Sequence, residues 1–171
     1  MKHTGRTDVP LTETGRSQAR ALRSRLAGRS FRLVLTSPLD RAVETCRLAG
    51  LGEAAVTCPH LVEWDYGEYE GLTTREVRAS RPDWLLWRDG CPGGERAADV
   101  GARVERVIER LRGEDGDVAV FAHGHVLRIL TARWLGLAPE AGAMFALSTA
   151  TLSVLGYEHE WPAIWVWNAS V

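Results

Sequence analysis

The stretch Val118-Ala119-Val120-Phe121-Ala122-His123-Gly124-His125 decides the fold. Its first five residues are continuously apolar, the pattern of a strand buried on both faces rather than one with a wet side. Gly113 and Gly116 break the chain just before it, and Val126 to Leu135, closed by Gly136, reads as a helix. An apolar strand that ends in polar residues and turns straight into a helix is the repeating unit of an α/β layer. The same unit occurs upstream. Leu33-Val34-Leu35 is apolar, Ser37-Pro38 ends it, and Pro38 fits the first position of a helix running to about Leu48.

Working outward, Leu11-Thr12-Glu13 opens a helical stretch to Leu26, with Thr12 as N-cap, Ala19, Leu22 and Leu26 at helical spacing, and Gly28 as the stop. Ala55 to Cys58 reads as a further strand, and Leu61 to Leu72 as an irregular segment rich in aromatics and acids. Helical pieces are expected at Thr74 to Ser80, Asp83 to Arg88 and Arg96 to Arg112. The last carries the apolar stripe Val100, Val104, Val107, Ile108 and Leu111. Thr151 to Tyr157 and Ala163 to Trp167 read as an edge hairpin turning around His159 to Pro162. The expected architecture is one α/β domain over residues 1–171, three layers (α/β/α) around a mostly parallel sheet with an antiparallel edge.

Composition narrows the function classes. Of 171 residues, 45% are hydrophobic and 25% charged, and a net charge of -1 argues against a nucleic-acid surface. Three cysteines, Cys46, Cys58 and Cys91, form no Cys-x-x-Cys pair, which points to a reducing compartment without disulfides or zinc. No run is long and apolar enough to span a membrane and no signal peptide is visible, so the expectation is a cytoplasmic protein with no membrane partner. Trp161, Trp165 and Trp167 suit hairpin packing or a subunit contact, as in a homodimer. Trp84 and Trp87, three residues apart, suit a packing face or a lid over a site.

In an open parallel sheet, ligands sit at the carboxyl ends of the strands. One strand here delivers Ser37 and Arg41 to that edge, and the other delivers His123 and His125. Each is followed by a helix whose N-terminal N–H groups favour an anion. Arg41 offers the planar fork that takes phosphate oxygens two at a time. The chemistry expected is phosphoryl binding, with phosphate or a small phosphorylated metabolite as partner. His123 and His125 could also be read as a metal pair, but no third ligand accompanies them, so no metal or other cofactor is expected.

Four segments in order carry a resemblance. Gly5-Arg6-Thr7-Asp8-Val9-Pro10-Leu11-Thr12, Ser37-Pro38-Leu39-Asp40-Arg41-Ala42-Val43-Glu44-Thr45, Glu63-Trp64-Asp65-Tyr66-Gly67-Glu68-Tyr69-Glu70-Gly71-Leu72 and His123-Gly124 resemble motifs of the histidine phosphatase superfamily, which includes the phosphoglycerate mutases. The match looks most like its acid phosphatase and sugar-bisphosphatase branch. The resemblance implies a phosphoglycerate mutase-like fold and a phosphohistidine mechanism. Arg41 and His123 would bind the equatorial oxygens and Glu63 would protonate the leaving alkoxide. Gly5, Arg6, Ser37, Tyr66 and His125 would line the substrate. Trp64 and Tyr66 are expected to desolvate Glu63 and raise its pKa, while Glu68 and Glu70, its rivals in sequence, read as solvated loop acids.

In that family the nucleophile sits in an Arg-His-Gly loop after the first strand, ahead of the segment matching Gly5. No such tripeptide occurs in residues 1–171, and His3 aligns after the nucleophile. The first strand is therefore expected to be missing, with the domain truncated at its N-terminus and Met1 an internal methionine. The alternatives are a non-catalytic relative that binds a phospho-ligand and a mutase-type phosphotransferase. The mutase reading is disfavoured because the large insertions that grip phosphoglycerate are lacking.

Overall fold

The structure, a computed structural model, describes residues 2–170. Its centre is β1 (Leu33–Thr36), flanked in parallel by β2 (Ala55–Thr57) and by β3 (Val118–Phe121). Residues Leu33 to Thr36 pair in register with Val118 to Phe121. Helix α1 (Glu13–Leu26) starts as expected, with the Thr12 hydroxyl accepting the Gly15 N–H at 3.1 Å. Helix α2 (Asp40–Leu48) starts two residues after Pro38, because Ser37 Oγ accepts the Leu39 N–H and holds Ser-Pro in a turn ahead of the helix.

Helix α3 (Thr74–Ser80) carries a capping box between Thr73 and Glu76. Helix α4 is shorter than expected, Leu86–Asp89, because the Asp89 carboxylate takes the Leu85 N–H and fixes the start there. Helices α5 (Ala97–Arg112) and α6 (Gly124–Trp134) pack over one face of β1 and β3, with Val100, Val104, Val107 and Ile108 buried. Helices α1 and α2 cover the other face through Leu22, Leu26 and Cys46. A 3-10 helix at Pro139–Met144, absent from the sequence reading, buttresses α6. Among the described residues no helix is long and apolar enough to cross a membrane.

The C-terminal hairpin, β4 (Leu152–Glu158) and β5 (Trp161–Ala169), forms a separate two-stranded antiparallel sheet. Its turn is only His159-Glu160, with His159 at φ 54°, so Trp161 and Pro162 already belong to β5. Strands β3 and β4 serve the same two layers. Val120 and Leu155 both touch the α5–α6 core, while Phe121 and Leu152 both touch Leu22, Leu26 and Ala49. Yet β3 and β4 do not pair, and among the described residues the outer edge of β3 has no strand beside it.

Burial follows from that gap. Val34, Leu35 and Thr36 of β1 are at most 2% exposed. Val118, Val120 and Phe121, equally apolar, are only half-buried. Burial on both faces, expected for both strands, is reached from Val34 to Thr36 in β1 and at Ala119 alone in β3.

Candidate active site

The carboxyl ends of β1 and β3 lie side by side, so the residues that follow them meet. His123 Nε2 is 2.7 Å from Ser37 Oγ, and both side chains are buried. Arg41, in the first turn of α2, donates from Nε to His123 Nδ1 at 3.2 Å. A guanidinium N–H can only donate, so Nδ1 is the acceptor and the imidazole proton sits on Nε2, donated to Ser37 Oγ. Burial pulls His123 down to about 4, which leaves the ring neutral at neutral pH. Ser37 Oγ thus accepts from His123 and from the Leu39 N–H, and its own hydrogen is available to a ligand.

The Arg41 fork is already partly engaged. Nη1 and Nη2 donate to the carbonyls of Thr7 and Gly5, each at 2.9 Å. With Nε on His123, that uses three of the five N–H groups a guanidinium owns and leaves about two for a bound oxyanion. Arg41 therefore braces the 5–8 loop as well as facing the cleft.

Both helix N-termini do hold anions, as the sequence suggested, but the anions are the protein's own. The Asp8 carboxylate accepts the Asp40 N–H at the start of α2, at 3.0 Å to each oxygen. At the start of α6, Glu63 accepts the N–H groups of His125 and Val126 at 3.1 and 3.0 Å, and that of Trp64 at 2.9 Å. An incoming phosphoryl group would be held by Arg41, Ser37 and His123 rather than by free helix ends.

Glu63 also departs from the expected charge state. Burial pushes its carboxyl up, as the aromatic neighbours suggested, but the attraction of His125, then of His123, and the Trp64 N–H outweigh it and hold Glu63 at about 2. The carboxylate is ionised in this site. Its Oε2 lies 3.8 Å from His125 Nδ1, whose hydrogen-bond partner is the Tyr66 hydroxyl at 2.8 Å. Burial, then the Glu63 charge, drives the Tyr66 phenol well above its ordinary value, so it keeps its proton.

Gly5 is buried against the acid-bearing loop, where an added Cβ would sit 2.1 Å from the Trp64 carbonyl oxygen. Arg6 stands apart, 55% exposed and paired with Asp65 at 3.3 Å. Of the residues named from sequence, Ser37, His123, Arg41 and Gly5 form one hydrogen-bonded group and Glu63, His125 and Tyr66 a second; the two meet where Gly5 packs against Trp64 and Tyr66, and Arg6 lies at the rim.

Three residues matter more than the sequence showed. Glu70, read as a solvated acid, accepts the N–H groups of Gly5 and Thr7 at 2.8 and 3.2 Å and fastens the 5–7 segment. Arg103, on the buried side of α5, donates to the carbonyls of His60, Val62 and Glu63 and pairs with Glu95 at 2.8 Å, clamping the loop that carries Glu63. Trp87 stacks near His125 at 5.3 Å between ring centroids, whereas Trp84 is core, donating its indole N–H to the Gly90 carbonyl. An arginine three positions after Val100 on an apolar stripe was the available signal for Arg103. Among the described residues no group of three or more His, Cys, Asp or Glu is placed to hold a metal ion.

Comparison with known proteins agrees with this geometry. Residues 1–170 match the family model of the histidine phosphatase superfamily (branch 1). An acid phosphatase of Mycobacterium tuberculosis is 43% identical over 165 residues, covering 92% of this chain and 79% of that protein. The sedoheptulose 1,7-bisphosphatase of Saccharomyces cerevisiae is 37% identical over 168 residues, covering 80% of this chain but only 62% of the yeast enzyme. The structure of a mycobacterial glucosyl-3-phosphoglycerate phosphatase with inorganic phosphate superposes at a TM-score of 0.86 and 29% identity, covering 99% of this chain and 92% of that one. The chain belongs to the histidine phosphatase superfamily, and its relatives include both phosphatases and phosphoglycerate mutases, one of the latter, from Brucella anthropi, 38% identical over 156 residues.

Proposed function

We propose that this member of the histidine phosphatase superfamily hydrolyses phosphomonoesters of small metabolites through a phosphohistidine intermediate. The observation that carries the reading is the Ser37–His123–Arg41 cluster at the carboxyl edge of two neighbouring parallel strands. The Arg41 guanidinium, which keeps about two N–H groups free of hydrogen bonds with Asp8 Oδ1 3.8 Å from Nη1, and the Ser37 hydroxyl lie together there. Donors fixed in place before the reaction are the main source of rate in phosphoryl transfer, because they neutralise charge on the equatorial oxygens without reorganising. The relatives' substrates, a sugar bisphosphate and a glucosyl phosphoglycerate, are small phosphorylated metabolites.

The attacking histidine belongs to a segment that fills the space between β3 and β4. Two features support that placement. Strands β3 and β4 serve the same layers without pairing, and the apolar side chains of β3 stay half-open there. A strand parallel to β3 in that space would end at the same carboxyl edge, beside His123. The leaving oxygen takes its proton on the Glu63–His125 side of the cleft.

The test is phosphate release by residues 1–171 alone and in the presence of an apolar peptide ending in Arg-His-Gly, with labelled substrate to trap phosphohistidine. The expected result is negligible turnover alone, and turnover with label on the peptide histidine once it is added. Turnover by residues 1–171 at an ordinary enzymatic rate, of order 1–1,000 per second, would place the nucleophile elsewhere. Neither turnover nor phosphate binding in any mixture would remove the reading altogether.

A further inference from the structure

Within the phosphomonoesterase reading, on which this inference rests, the grip on the phosphoryl group depends on where the Arg41 fork points. Its engaged N–H groups set that direction: Nε on His123 Nδ1 at 3.2 Å, Nη1 on the Thr7 carbonyl and Nη2 on the Gly5 carbonyl, each at 2.9 Å. Most of that hold therefore comes from the short strip of residues 5–7. A guanidinium is a rigid plane, so a strip that shifts turns the whole fork with it.

The same strip is held from its other side by Glu70. Its Oε1 accepts the Gly5 N–H at 2.8 Å and the Thr7 N–H at 3.2 Å. Gly5 and Thr7 thus give their N–H groups to an acidic side chain and their carbonyls to Arg41, while Arg6 between them turns to Asp65. Backbone bonds lead up to the strip, from the His3 N–H to the Leu72 carbonyl at 2.7 Å and from the Gly71 N–H to the His3 carbonyl at 2.8 Å. Among the described residues, Glu70 is the only side chain that takes an N–H of Gly5 or Thr7.

Glu70 Oε2 carries the second observation. It is buried and has no hydrogen-bond partner among the described residues. Buried polar atoms are rarely left so, because their lost hydration is not replaced. His3, Tyr66 and Cys91 are titratable side chains near Glu70, and none of them bonds to it. The reason lies in Gly5. A Cβ added there would sit 2.1 Å from the Trp64 carbonyl oxygen, 2.9 Å from the Tyr66 ring and 3.0 Å from Glu70 Oε2. Gly5 packs against Oε2 with no donor to offer on that side. The carboxyl group is placed for Oε1 to reach both N–H groups, with Oε2 left unpaired as the result.

We propose that Glu70 is a positioning residue for Arg41: by fixing the N–H side of Gly5 and Thr7 it fixes the two carbonyls that aim the guanidinium at the bound phosphoryl group. Without that hold the fork has a competing acceptor at hand. Asp8 Oδ1 lies 3.8 Å from Nη1, and a carboxylate attracts a guanidinium N–H more strongly than a carbonyl does. A fork turned onto Asp8 presents its N–H groups to the protein's own anion and fewer of them to the phosphoryl oxygens. Glu70 itself touches no substrate and acts through the strip.

The experiment is a double-mutant cycle, read by calorimetric titration of residues 1–171 with inorganic phosphate. Glu70→Ala should weaken binding about fivefold or more in the otherwise unmodified chain and less than about twofold in the Arg41→Ala background, since an effect exerted through Arg41 vanishes with it. Glu70→Gln, whose amide oxygen can still accept both N–H groups, should recover most of the affinity. Should Glu70→Ala not fold, the shorter Glu70→Asp takes its place in the cycle. Unchanged affinity, or the same loss in both backgrounds, would overturn the proposal, because a merely structural residue weakens binding with or without the guanidinium. If the unmodified chain binds no phosphate, the phosphomonoesterase reading fails, and the nitrogen-15 NMR signal of Arg41 Nε–H then judges Glu70. That signal should shift or broaden in Glu70→Asp; an unmoved signal means that Glu70 does not position Arg41.

Discussion

The two edges of β3 carry the same apolar chain and meet different fates. The inner edge is laddered to β1, and the residues leaving it find a partner for nearly every polar group: Ser37 with His123, His123 with Arg41, Arg41 with the Gly5 and Thr7 carbonyls. The outer edge has no strand beside it among the described residues, and Val118 and Val120 stay half-open. The difference teaches where this protein's order comes from. The Ser37–His123–Arg41 side of the site is held by the protein's own groups, carboxylates on helix N-termini and an arginine on loop carbonyls. The β3–β4 side has no such ladder among the described residues.

The first way to break that contrast is to unclamp the finished side. Arg103→Ala removes a half-hidden cation from the carbonyls of His60, Val62 and Glu63 and strands Glu95. We expect a loss of about 3–5 kcal/mol in urea denaturation, with faster amide exchange over residues 60–66. A loss within surface-mutation range would mean the loop holds itself.

Acid tests the same side. His123 is lowered to about 4 from its usual 6.5. The unfolded chain then takes up a proton at His123 before the folded one does, so this stability is full above pH 6.5 and is lost as pH falls toward 4. The full effect is about 3 kcal/mol, at 1.36 kcal/mol per pKa unit. Glu63, held at about 2, adds its own loss only below the ordinary carboxylate range. His123→Gln should flatten the stability profile between pH 6.5 and 4; an unchanged slope there would remove His123 as its source.

A matched pair of substitutions then compares the closed core with the open edge. Val104, fully buried on α5, should lose about 2 kcal/mol on truncation to alanine, from lost burial plus the cavity left behind. Val120 on β3 should lose about half as much in residues 1–171, and approach the Val104 figure if a strand fills the gap. Equal losses at the outset would mean the outer edge is already covered. The smallest expected effect lies away from both edges. Thr73→Ala breaks the α3 capping box and should cost about 1 kcal/mol with phosphate binding unchanged.

How much of this could be read from the chain depends on range. The strands at 33–36 and 118–121 and helix α5 were legible because continuous apolar runs and a 3.6-residue stripe are local signals. The meeting of Ser37, Arg41 and His123 was legible because parallel strands bring their carboxyl ends together whatever the loops do. Glu70 was not, since nothing local says that the 62–72 loop folds back onto residues 5–7. The charge of Glu63 was misjudged for the same reason. Its sequence neighbours are aromatic, while two of its three N–H donors come from the start of α6. The shortness of α4 and the 3-10 helix at Pro139–Met144 depend on one Asp89 contact and on packing against α6, neither of which has a periodic signature.

The most direct measurement is calorimetric titration of residues 1–171 with inorganic phosphate, with vanadate as competitor, alongside Arg41→Ala and His123→Asn. The account predicts saturable one-to-one binding that vanadate displaces, weakened by about tenfold or more in each variant, or 1.4 kcal/mol. Binding of full strength in both variants would contradict it, because the anion would then rest somewhere other than the cluster at the ends of β1 and β3.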